Sequence, residues 1–228
     1  MQSRLAVAGF PIYPLHSIVT KMKTGNETQI ANYSEILDFW FGEDLNDAAS
    51  VSAASKRWFE KNQRFDDEIR TRFGAYPDAA ITGRLDDWIT EDEGLLALIL
   101  VLDQFPRNMY RNTSNSFAYD EAALRYAIEA LERNLHQRLH PLQALFLYLP
   151  LEHSENLQMQ QRCVRGLQVL ESERGGMWRE KIGGFLRYAI AHHEVIEQFG
   201  RFPHRNKILG RDSTPTEKEF LASGKGAF

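Results

Sequence analysis

The stretch Gly94-Leu-Leu-Ala-Leu-Ile-Leu-Val-Leu-Asp103 decides the fold. It is apolar on every side of a helical wheel, and such a helix is stable only where neighbours bury it all round. It is too short to cross a bilayer, which takes ~20 apolar residues. It therefore predicts a central helix in an all-α core. Thr90 and Glu93 have the spacing of a capping box just ahead of it.

The flanking sequence supplies the cover. Ser34 is placed to cap a short helix carrying Ile36, Leu37, Phe39, Trp40 and Phe41, which Gly42 stops. A second helix reads from about Ala53 to Phe73, with Gly74 as its stop. A short helix or turn covers Asp78 to Trp88. Asp120 reads as the cap of a helix to about Leu135, whose residues Leu124, Ala127, Ile128, Leu131 and Leu135 form one apolar stripe. Pro141 suits the first position of the next helix. Long helices follow at about Glu155 to Glu173, with Ser154 as N-cap, and Met177 to Phe199. Thr214, Pro215 and Glu217 announce a last short one. No stretch alternates with period two, so no sheet is expected. Short links between helices imply antiparallel stacked pairs in a single all-α domain.

Composition agrees. The chain has 228 residues, 43% hydrophobic and 25% charged, which is ordinary for a globular protein with one full core. The formal net charge of −4 argues against nucleic acid as a partner, because duplex binders are usually basic. No membrane span is expected. The lone Cys163 excludes an intrachain disulfide and fits a reducing, cytoplasmic setting. Its surroundings read as those of a structural thiol. Residues 1–32 carry no acid before Glu27 and are broken by Pro11 and Pro14. They read as a flexible extension ahead of a domain over 33–228, with Met22 as an alternative start.

The polar chemistry gathers at helix ends. Gln104-Phe-Pro-Arg-Asn108 follows the central helix, and Arg201-Phe-Pro-His-Arg-Asn206 follows the last long one. In each, proline is expected to stop the helix and the arginines to satisfy its last carbonyls. Asp103 shares a face with Leu96 and Ile99, so it should point inward, and Arg107 is its nearest cation. On the last long helix the steps Ile182, Phe185, Leu186, Ala189, His193, Ile196 put His193 on the apolar face and His192 on its flank. Glu152 and His153 sit at a junction of two helices. His153, Glu155, His193 and His204 could make a mixed nitrogen–oxygen metal site, but their spacing matches no metal motif. No metal or cofactor is expected. No phosphate-binding glycine loop or nucleophile elbow occurs.

These motifs carry a resemblance. Leu102-Asp-Gln-Phe-Pro-Arg-Asn108, His153-Ser-Glu155, Phe199-Gly-Arg-Phe-Pro-His-Arg-Asn206 with Leu209-Gly-Arg211, and the opening Ile36-Leu-Asp-Phe-Trp-Phe41 resemble the bacterial domain-of-unknown-function family numbered 924. The similarity runs from about Ser34 to Leu221. It implies a tetratricopeptide-like superhelical fold and supplies no activity. It marks Asp103, Gln104, Phe105, Pro106, Arg107, His153, Glu155, His204, Arg205 and Asn206.

Three functional expectations follow. One is a binding domain for an anionic small molecule or acidic peptide, held by Arg107, Asn108, Arg201, His204, Arg205 and Asn206. Another is an enzyme for hydrolysis or proton transfer. There His153 or His193 is the base, Glu155 or Asp103 its orienter, and arginine the electrostatic stabiliser. A protein–protein module is the third alternative.

Overall fold

The computed structural model describes residues 32–224, residue 43 apart, and only the backbone of Ala48. The expected extension over 1–32 lies almost wholly outside the described residues. Among these residues there are helices and no strand.

The central helix is α5 (Asp92–Ile99), and it is as buried as its sequence demands: Leu95 to Leu102 are all at most 1% exposed. Burial of that kind is the main favourable term holding the fold. Its cover comes from α1 (Tyr33–Phe41), α7 (Asp120–Glu132) and α9 (Pro141–Glu152). Against α1 lies an aromatic cluster in which Trp40 meets Trp58, Phe65, Phe105 and Phe146 within about 6 Å. The Trp58 indole N–H donates to the Trp40 carbonyl at 2.8 Å, which pins α1 to the next helix. Further along the chain, α10 (Leu157–Ser172) and α11 (Gly176–Phe199) form an antiparallel pair on α9. Tyr148 of α9 explains a glycine there: a Cβ on Gly166 would sit 2.2 Å from its ring.

Several local expectations are corrected. Asn32, not Ser34, caps α1. The helix expected from Ala53 to Phe73 is two, α2 (Ala48–Phe59) and α3 (Gln63–Phe73), because the Asn62 side chain accepts from Phe65 N–H and starts a new helix. The region to Trp88 holds α4 (Tyr76–Ile81) and a 3₁₀ turn (Asp86–Thr90). No capping box opens α5: Thr90 Oγ1 turns back to the Asp87 carbonyl. Asp120 is the first residue of α7 rather than its cap, and on that helix Ala123 and Ala130 are buried deeper than Leu124 and Ile128. Asn156, not Ser154, caps α10, accepting from Gln158 and Met159. The start of α9 at Pro141 and the capping box of α12 (Pro215–Ala222) are as read.

The most consequential correction lies at Pro106. It does not stop the helix. Residues Leu100–Gln104 form a π-turn, with Phe105 N–H bonded to the Leu100 carbonyl five residues back. The wider register moves the carbonyl that the proline ring would strike, and the chain runs on into α6 (Phe105–Met109). At the second motif the proline does not stop the helix either, and no arginine among the described residues bonds the last carbonyls of α11. Gly200 ends α11 with φ +69°, Phe202 is extended ahead of Pro203, and a 3₁₀ turn covers Pro203–Arg205. Between them lies α8 (Leu135–Arg138), a single turn after α7.

Candidate functional site

The π-turn delivers Asp103 into the interior, where its side chain is 1% exposed. A buried carboxylate needs partners to stay charged. Asp103 has three. Gln104 Nε2 donates to Oδ2, Arg107 Nη1 stands 3.3 Å from Oδ1, and His153 Nδ1 lies 2.8 Å from Oδ1. Burial pushes the carboxyl pKa up, but Arg107 and His153 outweigh it and hold the group below the usual carboxylate range.

Arg107 links this carboxylate to a second one. It donates to the Asp103 carbonyl at 2.7 Å and to both oxygens of Asp120 at 2.8 and 3.0 Å. Arg205, arriving from the other motif, reaches Asp120 Oδ2 only at 3.5 Å through Nη1. Its guanidinium lies over the rings of Phe117 and Phe202, at 4.6 and 4.5 Å. Burial and Arg107 bring its pKa down to about 10. A continuous chain therefore runs His153–Asp103–Arg107–Asp120–Arg205.

His153 ends α9 as its C-cap. With Nδ1 turned to the carboxylate, Nε2 makes no hydrogen bond among the described residues and is not sealed from solvent. Burial and the Arg107 charge lower the imidazole pKa against the pull of Asp103, so the ring is neutral at neutral pH. Beside it, Glu152 is 5% exposed. Burial, and then the charge of Asp103, push the Glu152 carboxyl up to about 8. Its Oε1 stands 3.4 Å from His192 Nδ1, which also donates to the Tyr188 carbonyl at 2.9 Å. Burial brings His192 down to about 3, and burial with Arg205 brings His204 down to about 4.

The candidates thus divide. Asp103, Arg107, His153 and Arg205 come together, with His204 electrostatically coupled to them. His193 does not join them. The buried face of α11 steps from Ala189 to His192 and then to Val195 and Ile196, so His193 is the flanking residue and the expected phase is wrong by one position. Glu155 is no orienter for a histidine: it takes two bonds from Arg211, at 2.6 and 2.9 Å, and one from Phe202 N–H. Arg201 closes side-on onto Glu217 at 2.7 and 2.8 Å. Asn206, fully buried, bonds Ser213 and the same Glu217. Asn108 donates to Asp66, which Arg111 also grips at 2.6 and 2.9 Å. These three expected ligand contacts are fastenings between elements.

Sequence reading missed Asp120 and Phe117, and singled out Glu152 without giving it a role. Asp120 in a first helical turn resembles any acid that offsets the macrodipole, and nothing local ties it to Arg107 thirteen residues earlier. Glu152 had one signal, an acid at the end of an otherwise apolar helix. Cys163 is a fully buried thiol whose pKa burial raises, as a structural cysteine requires. Among the described residues no group of three His, Cys, Asp or Glu is arranged to hold a metal ion, and no helix is long and apolar enough to cross a membrane. Two surface hollows, of about 320 and 590 Å³, lie elsewhere. Asp38, Glu93 and His140 are among the residues lining the first, and Phe39, Arg57 and Phe65 among those lining the second. Neither contains the proton-handling groups, so the chemistry and not the concavity marks the site.

Comparison with known proteins agrees with the motifs. No curated protein is significantly similar to the chain. A solved structure, a protein of unknown function from Agrobacterium tumefaciens, is 38% identical with a TM-score of 0.70, over 83% of this chain and 96% of that one. The family model described as bacterial protein of unknown function (DUF924) matches residues 36–225. With that match spanning nearly all of the described residues, the chain belongs to the DUF924 family.

Proposed function

We propose that this cluster is an acid–base enzyme site acting on a small anionic molecule, with His153 as the proton acceptor. One observation carries the reading: His153 Nδ1 lies 2.8 Å from a carboxylate that is 1% exposed, while Nε2 has no partner among the described residues. A charged Asp103 fixes the Nδ1–H tautomer and leaves the Nε2 lone pair for a substrate proton. It also stabilises the imidazolium once that proton arrives. The lowered pKa keeps the base unprotonated at neutral pH. Arg205 supplies the positive charge near which negative charge develops on the substrate, while Arg107 balances Asp103 and Asp120. The reaction class is proton transfer or hydrolysis, and the reading invokes no cofactor. A π-turn at the orienting residue accords with it, since such turns recur at functional sites.

Simple ligand binding by all six expected residues is the weaker reading, because Asn108, Arg201 and Asn206 are already committed to Asp66 and Glu217. The single cysteine accords with a reducing, cytoplasmic setting.

The test is incubation with a bacterial metabolite extract in water carrying both deuterium and oxygen-18, read by mass spectrometry. Proton transfer leaves deuterium in a metabolite, and hydrolysis leaves oxygen-18. We expect a labelled anion with the wild type and none with His153→Gln. Equal labelling by both proteins, or by neither, contradicts the proposal.

A further inference from the structure

Arg205 differs from the other arginines that close side-on on a carboxylate in this protein. Arg111, Arg138 and Arg201 each seat one on the edge formed by Nε and Nη2. The Nε contacts are 2.6 Å to Asp66, 2.6 Å to Asp92 and 2.7 Å to Glu217, and the Nη2 contacts are 2.8–2.9 Å. Arg205 is 7% exposed, more deeply buried than any of these, yet the same edge has no partner among the described residues. Its Nε is buried without a hydrogen bond, and its Nη2 makes none among the described residues. Asp120 does not fill the edge. Both of its oxygens are held by Arg107, and Arg205 meets it with Nη1 alone. A buried guanidinium left this incompletely satisfied is costly to the fold, because each unmade charged hydrogen bond forfeits its solvation.

We propose that the Nε–Nη2 edge of Arg205 seats a carboxylate of the substrate, so that the site acts on a small carboxylic acid. The proposal rests on the acid–base reading of His153 and names its substrate class. Bidentate side-on pairing is the geometry a planar carboxylate makes best, and this chain uses it three times within itself. The phenyl rings of Phe117 and Phe202 against the guanidinium strengthen each remaining contact by excluding water. The chain of pairs through Asp120, Arg107 and Asp103 then sets the seat and the base at two ends of one rigid network.

Calorimetric titration of the full chain with acetate, and separately with inorganic phosphate, at constant ionic strength tests this. Acetate should bind the wild type and His153→Gln alike, and bind Arg205→Lys at least about tenfold more weakly, the equivalent of one charge-assisted hydrogen bond. Lysine keeps the charge and loses the edge. Acetate binding that survives Arg205→Lys, its absence from the wild type, or tighter binding of phosphate than acetate overturns the proposal. If Arg205→Lys does not fold, the Arg205 Nε–H resonance of the wild type decides: acetate should shift it, and an unmoved resonance overturns the seat. The labelled-water experiment depends on His153 alone, so a failed carboxylate seat and a failed base are told apart.

Discussion

The two Phe-Pro motifs share a sequence and differ in backbone. At Phe105-Pro106 the helix runs on through a π-turn, and at Phe202-Pro203 it has already ended at a left-handed glycine. Their asparagines nevertheless do the same work. Asn108 and Arg111 together hold the buried Asp66, and Asn206 and Arg201 together hold the buried Glu217. Their central arginines converge on one residue, Asp120, and there the likeness ends. Arg107 engages two carboxylates and a carbonyl, whereas Arg205 keeps its side-on edge unbonded among the described residues. One motif builds the network and the other presents a cation within it.

The largest effect should separate those two arginines. Arg107→Met strands the buried Asp103 and should cost ~3–5 kcal/mol in urea unfolding. Arg205→Met keeps the bulk against Phe117 and Phe202, leaves Asp120 paired, and should cost no more than about 1 kcal/mol. Equal losses would break the comparison.

The surroundings of the two motifs should also titrate in opposite senses. Behind the first motif, folded Glu152 holds its proton to about 8 against an ordinary 4.5, so stability falls as pH rises through that window. Around the second, His204 and His192 stay neutral down to about 4 and 3 against an ordinary 6.5, so stability is lost as pH falls below 6.5. Two histidines outweigh one carboxyl where the windows overlap, which puts the optimum near pH 6.5. Urea titrations from pH 6 to 8 should show a declining limb in the wild type and a flat one in Glu152→Gln. A parallel decline in both would place the titrating group elsewhere.

Smaller and equal losses are expected at the shared feature. Asn108→Ala and Asn206→Ala should each cost about 1–3 kcal/mol, the penalty for a buried carboxylate that loses a donor. A silent variant at either position would reduce the echo to sequence alone. Least of all, between the motifs, Asn156→Ala should cost about 1 kcal/mol as the cap of α10. Ser154→Ala should stay within about 0.5 kcal/mol.

What the sequence made legible was whatever depends on local pattern. The all-round apolar run of α5, the proline opening α9 and the capping box of α12 each declare themselves within a few residues. What it hid depends on register or on distant pairing. A π-turn changes which carbonyl a proline meets, and nothing at Pro106 announces it. In the 24-residue α11, a step of three rather than four from Ala189 exchanges His193 for His192. The α2–α3 break has no glycine or proline, only Asn62 turning its side chain to Phe65 N–H. At the site, Asp103, Arg107 and His153 could be named from their motifs. Asp120, the carboxylate shared by Arg107 and Arg205, could not, because ion pairs across the fold leave no trace in spacing.

The central claim is that His153 is a neutral base oriented by Asp103. Nitrogen-15 NMR of the imidazole at neutral pH tests it most directly. The account predicts the neutral ring with its proton on Nδ1 and a free lone pair on Nε2, converting to imidazolium only below the ordinary histidine range. A proton on Nε2 alone, or a doubly protonated ring at pH 7, would contradict it.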